Sequence, residues 1–345
     1  MKIRTLRADE HEALLALLDG WELPDGWRGR DFFRRYVEDD PSFADGNVWV
    51  AEDGGRLVSC VQIFPRRLRV GDAAVPAGGI GSVFTHPEAR SSGVASVLLT
   101  RSIEDMRTRG MLISVLFASR LGFYARLGWS SWPSSRTLLR PAESTPGEGD
   151  EAKLVLRPFE PARDLHAVRR IHASYTGGRQ GSVVRDATTW EATLRNGGNP
   201  REEFLVAVQG GEPVAYARAT VLSGFLILSE LGRSSDAAGA LAALVRRLLT
   251  PRDDDPLART ERPSPELRAL GVAPPLLDEP LCVALRASGV AIDSFPDPNA
   301  MLRCLDAPGL AKAVGTQLAP GEDGEALLRR VLPPERFSYW AADRF

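Results

Sequence analysis

The sequence predicts a mixed α/β protein in which one structural plan occurs twice. Each copy has a short strand, an amphipathic helix and a strand hairpin with glycines at its turn. Each copy then reaches a strand that leads through a short turn into another helix. Strands that alternate with helices in this way favour twisted, mixed sheets flanked by helices.

The first copy starts with a strand over residues 3–6. Asp9 is the predicted N-cap of the next helix, because Glu12 follows it three residues later. The residues that this helix is expected to bury are Leu14, Leu17 and Leu18. Strands over residues 48–51 and 57–61 flank an Asp-Gly-Gly turn, which predicts a hairpin.

The second copy repeats these elements in the same order. We expect, in turn, a strand at 154–156, a helix at 162–174, a hairpin of 204–207 with 214–217, a strand at 227–231 and a helix at 240–249. Beyond them, residues 281–285 are a strand candidate and residues 300–314 are amphipathic.

The most informative segment of the first copy is Arg90-Ser91-Ser92-Gly93-Val94-Ala95, which follows a strand ending at Thr85. A turn that enters a helix presents unpaired N–H groups and the positive end of the helix dipole, and such a site binds phosphate. Gly93 allows close approach and Arg90 adds positive charge. A helix cap in an ordinary α/β domain is the alternative explanation of the same residues.

A helix over residues 94–108 and a buried strand over residues 111–117 follow this turn. Next comes Phe123-Tyr124-Ala125-Arg126-Leu127-Gly128-Trp129. Tyr124 is a candidate general acid, because a phenol with an ordinary pKa of about 10 holds its proton at neutral pH. A tyrosine that only packs a short helix is the alternative.

Together, the R-x-x-G-x-A turn and the F-Y-x-x-x-G-W segment resemble the GNAT superfamily of N-acetyltransferases. The resemblance implies tandem GNAT acyl-CoA N-acyltransferase folds, an α/β (α+β) class, with acetyl-CoA as co-substrate and no metal. It implies that Tyr124 protonates the departing thiolate. The positions that match the family's contacts to CoA are Val83, Phe84, Thr85, Arg90, Ser91, Ser92, Gly93, Val94, Ala95 and Ser119.

The second copy lacks this chemistry. Asp236-Ala237-Ala238-Gly239 stands where the first copy has Arg90-Ser91-Ser92-Gly93, and a carboxylate there would repel pyrophosphate. We therefore expect a degenerate second unit that no longer binds CoA.

The aromatic end of the chain, Phe337-Ser338-Tyr339-Trp340 and a final Phe345, is expected to dock rather than fray. With the repeat, it resembles the Eis-type branch of the superfamily, which implies that the α-carboxylate of Phe345 acts as general base. The alternative is that these aromatic residues only pack between the domains and that the carboxylate has no catalytic role. The expected domains are an active unit (1–141), a linker (142–152), a degenerate unit (153–290) and a reduced C-terminal segment (291–345).

The composition limits the kinds of partner that the protein is expected to bind. The net charge is −2 with no basic block, which argues against nucleic acid, and no apolar run approaches the length of a membrane helix. Three scattered cysteines indicate neither a disulfide framework nor a zinc site, so a cytoplasmic protein is expected. The sequence leaves open whether it is a monomer or a homo-oligomer.

The acceptor is expected to be a small-molecule amine of the aminoglycoside or polyamine kind. Four carboxylates in the segment 27–40 could attract such a cation, although surface charges that are simply solvated would look the same; they are Asp31, Glu38, Asp39 and Asp40. A non-catalytic acyl-CoA sensor and an acyltransferase acting on protein amines remain the alternatives to a small-molecule N-acetyltransferase.

Overall fold

The computed structural model describes most of the chain. The described residues are 1–23, 28–141, 154–196, 202–222, 225–250, 270–272 and 275–344. The expected linker, 142–152, lies outside them.

Fourteen strands and ten α-helices are assigned over these residues. The strands are β1 (Lys2–Thr5), β2 (Val48–Asp53), β3 (Arg56–Val70), β4 (Ala73–Thr85), β5 (Ile113–Phe117), β6 (Ser130–Ser131), β7 (Ser134–Pro141), β8 (Leu154–Pro158), β9 (Glu202–Gln209), β10 (Glu212–Leu222), β11 (Phe225–Arg233), β12 (Leu270–Val272), β13 (Val290–Asp297) and β14 (Ala300–Cys304). The helices are α1 (His11–Leu18), α2 (Gly29–Glu38), α3 (Val94–Thr108), α4 (Leu121–Ala125), α5 (Pro161–Gly177), α6 (Ala187–Asn196), α7 (Ala238–Leu249), α8 (Glu279–Ala287), α9 (Ala307–Ala313) and α10 (Gly324–Val331).

The strands form two seven-stranded mixed sheets with matching orders. The first sheet runs β1-β2-β3-β4-β5-β14-β6, and the second, read from its other edge, runs β8-β9-β10-β11-β12-β7-β13. In each sheet a single parallel pair, β4 with β5 or β11 with β12, lies among antiparallel neighbours. The predicted mixed α/β fold and the two predicted hairpins are confirmed.

The two sheets exchange one strand each. β14, which follows the second unit in the chain, pairs with β5 and β6 of the first sheet. β7, which follows the first unit, pairs with β12 and β13 of the second sheet. The domain boundaries expected from the sequence remain a prediction, and sheet membership crosses them at these two strands.

Two local expectations are wrong. Residues 281–285 belong to helix α8, because Asp278 caps its first turn and Leu281 and Leu285 are buried at helical spacing while Val283 faces solvent. Asp9 lies in a 3₁₀ turn and is not an N-cap; α1 begins at His11, although the three predicted leucines are buried. The segment 300–314, for which the sequence predicts only an amphipathic character, contains strand β14 and helix α9.

Asp278 connects helix α8 to strand β11 and helix α5 through hydrogen bonds. Its carboxylate accepts hydrogen bonds from the Leu281 N–H at 3.1 Å, from Arg233 Nη2 at 2.7 Å and from the Tyr175 hydroxyl at 2.9 Å. The charge and hydrogen bonds of Arg233 outweigh the effect of burial and lower the pKa of this carboxyl.

We expect Asp278→Ala to destabilise the protein by about 3 kcal/mol, because it leaves a buried guanidinium and a buried phenol without their partner. Asp306→Ala is the matched control, since Asp306 also caps a helix but is exposed, and its loss should cost only about 1 kcal/mol. Urea unfolding measures both changes, and equal losses would contradict the central role of Asp278.

Candidate functional site

The candidate site begins where β4 and β5 separate. The two strands are paired over three positions, ending at Gly79 with Val115. β4 continues to Thr85 and stays paired with β3 on its other side. The parallel pair therefore opens toward its carboxyl ends, where open α/β sheets bind ligands.

A bulge in β4 lies at this opening. Gln62 pairs with Gly81 and Cys60 with Phe84, so one residue of β3 faces two of β4. Ser82 occupies the bulge with φ +49°, a left-handed conformation that is strained for a side-chain-bearing residue. Its hydroxyl is held by Gln62 Oε1 at 3.1 Å. The bulge sets the direction of the last residues of β4.

Those last residues include three predicted CoA contacts. The His86 N–H donates to the Val58 carbonyl at 2.9 Å, so by strand alternation the N–H of Thr85 faces away from β3, whereas Val83 lies at the bulge, where the alternation is interrupted. The Thr85 carbonyl accepts from Arg90 Nε at 3.2 Å. The Phe84 side chain is buried on the opposite face of the sheet against Trp21, and its carbonyl accepts from the Ser59 hydroxyl of β3 at 3.0 Å, so its predicted contact with CoA stays a prediction.

The predicted phosphate-binding turn is exposed and leads into α3 as expected. Arg90, Ser91, Ser92 and Gly93 are all open to solvent, Val94 is buried, and Ala95 is partly covered. Gly93, the residue before α3, has φ +81°, and no side chain caps this end of the helix. Of the described part of the chain, nothing within 4 Å would meet a Cβ at Gly93. The first turn of a 15-residue helix therefore points its N–H groups into open space.

Tyr124 lies on α4, which follows β5 after a three-residue turn. Val83, Ala118 and Tyr124 pack on the same apolar cluster beneath α3. Burial raises the pKa of Tyr124 to about 12, with a small opposing effect from Arg120. No hydrogen-bond partner of its hydroxyl occurs within the ranges that the structure describes. Its phenol therefore keeps its proton at neutral pH and faces this cluster without a fixed acceptor.

The predicted contact Ser119 is exposed just beyond β5. Its neighbour Ala118 donates its N–H to the Asn299 carbonyl at 2.9 Å, so the segment before β14 fixes this turn. The role predicted for Ser119 is not tested by these contacts and stays a prediction.

The expected acidic acceptor surface is largely neutralised. Asp40 is buried and bonded to Arg66 Nη2 at 2.5 Å; burial opposes ionisation of Asp40, but Arg66 outweighs it and lowers its pKa. Glu38 pairs with Arg34 at 2.7 Å, and Asp39 lies 3.7 Å from Arg195 of the second unit. Asp31 is exposed, and Trp27 lies outside the described residues. Asp40 therefore offers no free charge to a cationic acceptor.

The tail of the chain reaches this region. Tyr339 packs against Phe117 with ring centroids 5.1 Å apart, and the Arg344 guanidinium lies 4.3 Å above the same ring. Phe117 is the last residue of β5. Phe345, the predicted base, lies outside the described residues. The described tail thus ends beside the opening between β4 and β5.

Sequence reasoning missed the residues that hold this tail. Arg185 of the second unit is fully buried and bonds to Asp343 at 2.7 Å. An arginine in a polar stretch resembles a surface residue, so its sequence gives no signal of burial. In the described part of the chain, no three His, Cys, Asp or Glu side chains are grouped to hold a metal. Nor does a helix in these ranges have the length and apolar character needed to span a membrane.

The two turns at Gly93 and Gly239 provide a matched stability test. Gly93→Ala should destabilise the ligand-free protein by about 1 kcal/mol, because φ +81° is strained for alanine. Gly239→Ala should stabilise it by about 0.5–1 kcal/mol, because Gly239 lies in α7 with ordinary φ and no close neighbour. Thermal unfolding measures both, and a stabilising Gly93→Ala would mean that the turn is not fixed as described.

Comparisons with known proteins agree with this geometry. Residues 2–131 match the family model described as "Acetyltransferase (GNAT) domain". An uncharacterized N-acetyltransferase of Streptomyces avermitilis is 28% identical over 235 residues, covering 64% of this chain and 54% of that protein. The chain spans about half the length of the curated relatives it matches.

Solved structures share the fold over both units. A GCN5-related N-acetyltransferase from Kribbella flavida covers 93% of this chain and 74% of its own, with a TM-score of 0.63 and 22% identity. Eis1 from Mycobacterium abscessus covers 91% and 76%, with a TM-score of 0.58 and 22% identity. Residues 2–131 are therefore similar to a GNAT acetyltransferase domain, and the solved N-acetyltransferase structures share the fold of the chain.

Proposed function

We propose that the protein transfers an acetyl group from acetyl-CoA to a primary amine of a small molecule, by direct attack in a ternary complex. The observation that carries this proposal is the uncapped N-terminus of α3 with its exposed turn, next to the opening between β4 and β5. A pyrophosphate at the turn and a pantetheine arm along the opening would suit these two features.

The proposed groups that act on the acetyl donor are a backbone N–H and the phenol of Tyr124. A backbone N–H between Val83 and Thr85 would polarise the thioester carbonyl as negative charge develops on its oxygen. As the amine nitrogen bonds to the carbonyl carbon, the C–S bond breaks and the sulfur takes the Tyr124 proton. A phenol with a pKa of about 12 is a weak acid, but an apolar site also raises the pKa of the leaving thiol, which brings the two values closer and favours the proton transfer.

The acceptor side requires a neutral amine, so a base must take a proton from the ammonium. We propose the α-carboxylate of Phe345 for this role, directly or through water. Its support is the neighbouring Arg344, which stacks on Phe117 at the end of β5. The neutralised Asp40 and Glu38 lend no support to a polycationic acceptor, so the proposal extends to primary amines in general.

Acetyl-CoA titration tests the donor site. We expect binding at one site per chain in calorimetry, and a loss of at least tenfold in Arg90→Glu, because the variant places a carboxylate beside the pyrophosphate. Arg101→Glu, an exposed change further along α3, is the matched control and should bind normally. Two sites per chain would contradict the degenerate second unit, and no binding would remove the proposal.

Tyr124→Phe tests the acid. We expect kcat to fall by about 10²-fold or more with little change in the Kd for acetyl-CoA, because only the transferred proton is lost. Since burial raises the pKa of Tyr124 to about 12, the wild-type acid stays protonated through pH 10 and gives no alkaline loss below that pH. Unchanged turnover in Tyr124→Phe would exclude the role.

The mass of the product separates the alternatives. An increase of one acetyl group on a small amine supports the proposal, whereas acylated lysines in a protein would favour a protein acyltransferase. A protein that binds acetyl-CoA but turns over no amine in the presence of intact Tyr124 would be a sensor.

A further inference from the structure

The second unit contains a buried cluster of charged and polar side chains around Glu230, here called the anchor cluster. It comprises Arg185, Glu230, Asp343, Arg218, His172 and Tyr216. The side chains of Arg185 and Glu230 are completely inaccessible to solvent, and that of Asp343 is 2% exposed. Ions held this far from water need close partners to remain charged.

Arg185 is the link within this cluster. Its two terminal nitrogens bond to the Glu230 carboxylate at 3.1 and 2.8 Å, and its Nε donates to Asp343 at 2.7 Å. Burial disfavours the charged carboxylate, yet Arg185 and His172 outweigh it and hold the pKa of Glu230 well below its ordinary value. The terminal nitrogens of the guanidinium therefore bind the second sheet, and its Nε binds the tail.

The position of Glu230 in its sheet explains why the cluster lies there. The parallel pairing ends at Gly79 with Val115 in the first sheet, and in the second sheet it is described as far as Leu228 with Val272. Two residues further along, β4 has Gly81 and β11 has Glu230. The place where the first unit opens toward its candidate acyl site is thus filled with charged side chains in the second unit.

The tail runs from this cluster to the first unit. The Ser338 N–H donates to the Gln180 carbonyl at 2.7 Å, and Trp340 is buried in the apolar core of the second sheet. Tyr339 packs instead in the core of the first sheet, and its hydroxyl donates to the Asp343 carbonyl at 3.2 Å. The next residue, Arg344, then stacks on Phe117.

We infer that the second unit, where an acyl site would lie, holds the tail through the anchor cluster. Arg185 is a positioning residue that fixes the tail against the acceptor side of the first unit. This inference rests on the proposed function. A buried ion pair adds little stability compared with apolar packing, but it fixes one geometry, because any shift leaves a charge without its partner. The anchor cluster therefore sets where residues 343 and 344 lie relative to β5.

Acceptor kinetics of Asp343→Ala test the anchor. We expect kcat/KM for the amine to fall about tenfold or more while the Kd for acetyl-CoA changes by less than about twofold, because the turn at α3 makes no contact with the cluster. Arg185→Met should likewise lower kcat/KM for the amine and leave the Kd for acetyl-CoA nearly unchanged. The double variant should lose no more of kcat/KM than either single variant, because each single variant already breaks the bond between Arg185 and Asp343.

Asp164→Ala is the matched control. Its carboxylate is also buried in the second unit and bonds to Arg157 at 2.6 and 2.7 Å, but it makes no contact with the tail. This variant should lose stability and keep the acceptor kinetics. Hydrogen exchange of residues 337–344 should rise in Asp343→Ala and stay unchanged in Asp164→Ala, which gives a readout independent of turnover.

The outcomes are distinguishable. A wild-type protein that binds no acetyl-CoA and acetylates no amine would overturn the proposed function and this inference with it. A wild-type protein that turns over amines, with Asp343→Ala showing unchanged acceptor kinetics or unchanged exchange in the tail, would overturn the anchor alone. Equal kinetic losses in Asp343→Ala and Asp164→Ala would also overturn it, because they would reflect general destabilisation.

Discussion

The early end of the parallel pairing between β4 and β5 is the constraint on which the rest of the site depends. After Gly79 the strand keeps its hydrogen bonds only toward β3, and the bulge at Ser82 turns its last residues toward α3. The groups proposed for the donor side lie around this opening, namely the backbone from Val83 to Thr85, the uncapped end of α3 and the Tyr124 phenol. Continued pairing would close the opening and leave the turn at Gly93 as a plain helix cap.

The two units have used the same opening differently. In the first unit, glycine at position 81 and the exposed turn keep the approach clear. In the second, Glu230 and Arg185 occupy the corresponding place, and Asp236 stands before the helix end. The two units thus share a fold and differ in their interiors, since the first has the groups proposed for acyl transfer and the second holds a charged cluster, in keeping with the rule that function belongs to sites rather than to folds.

The sequence predicts what is local and fails where the partner is distant. The hairpin turns have glycines at positive φ, as at Gly210 and Gly211, and such turns are recognisable from their residues alone. The short apolar run 281–285 fits a strand as well as a helix, and the helix-capping Asp278 before it is the signal that favours the helix. The exchange of β7 and β14 and the burial of Arg185 depend on contacts between segments far apart, for which hydrophobic patterning carries no information. Neither Tyr124 nor the turn at Arg90 needed such contacts to be found.

The exchanged strands have a consequence for biosynthesis. β14 is translated after the second unit, so β5 leaves the ribosome with its outer edge unpaired and keeps that edge unpaired until β14 has emerged. The nascent first unit therefore cannot finish folding on its own, unlike most domains, which fold as they emerge. The loop closed by β14 is long, which makes this late insertion a slow step and exposes an apolar strand edge to chaperones or to neighbouring nascent chains.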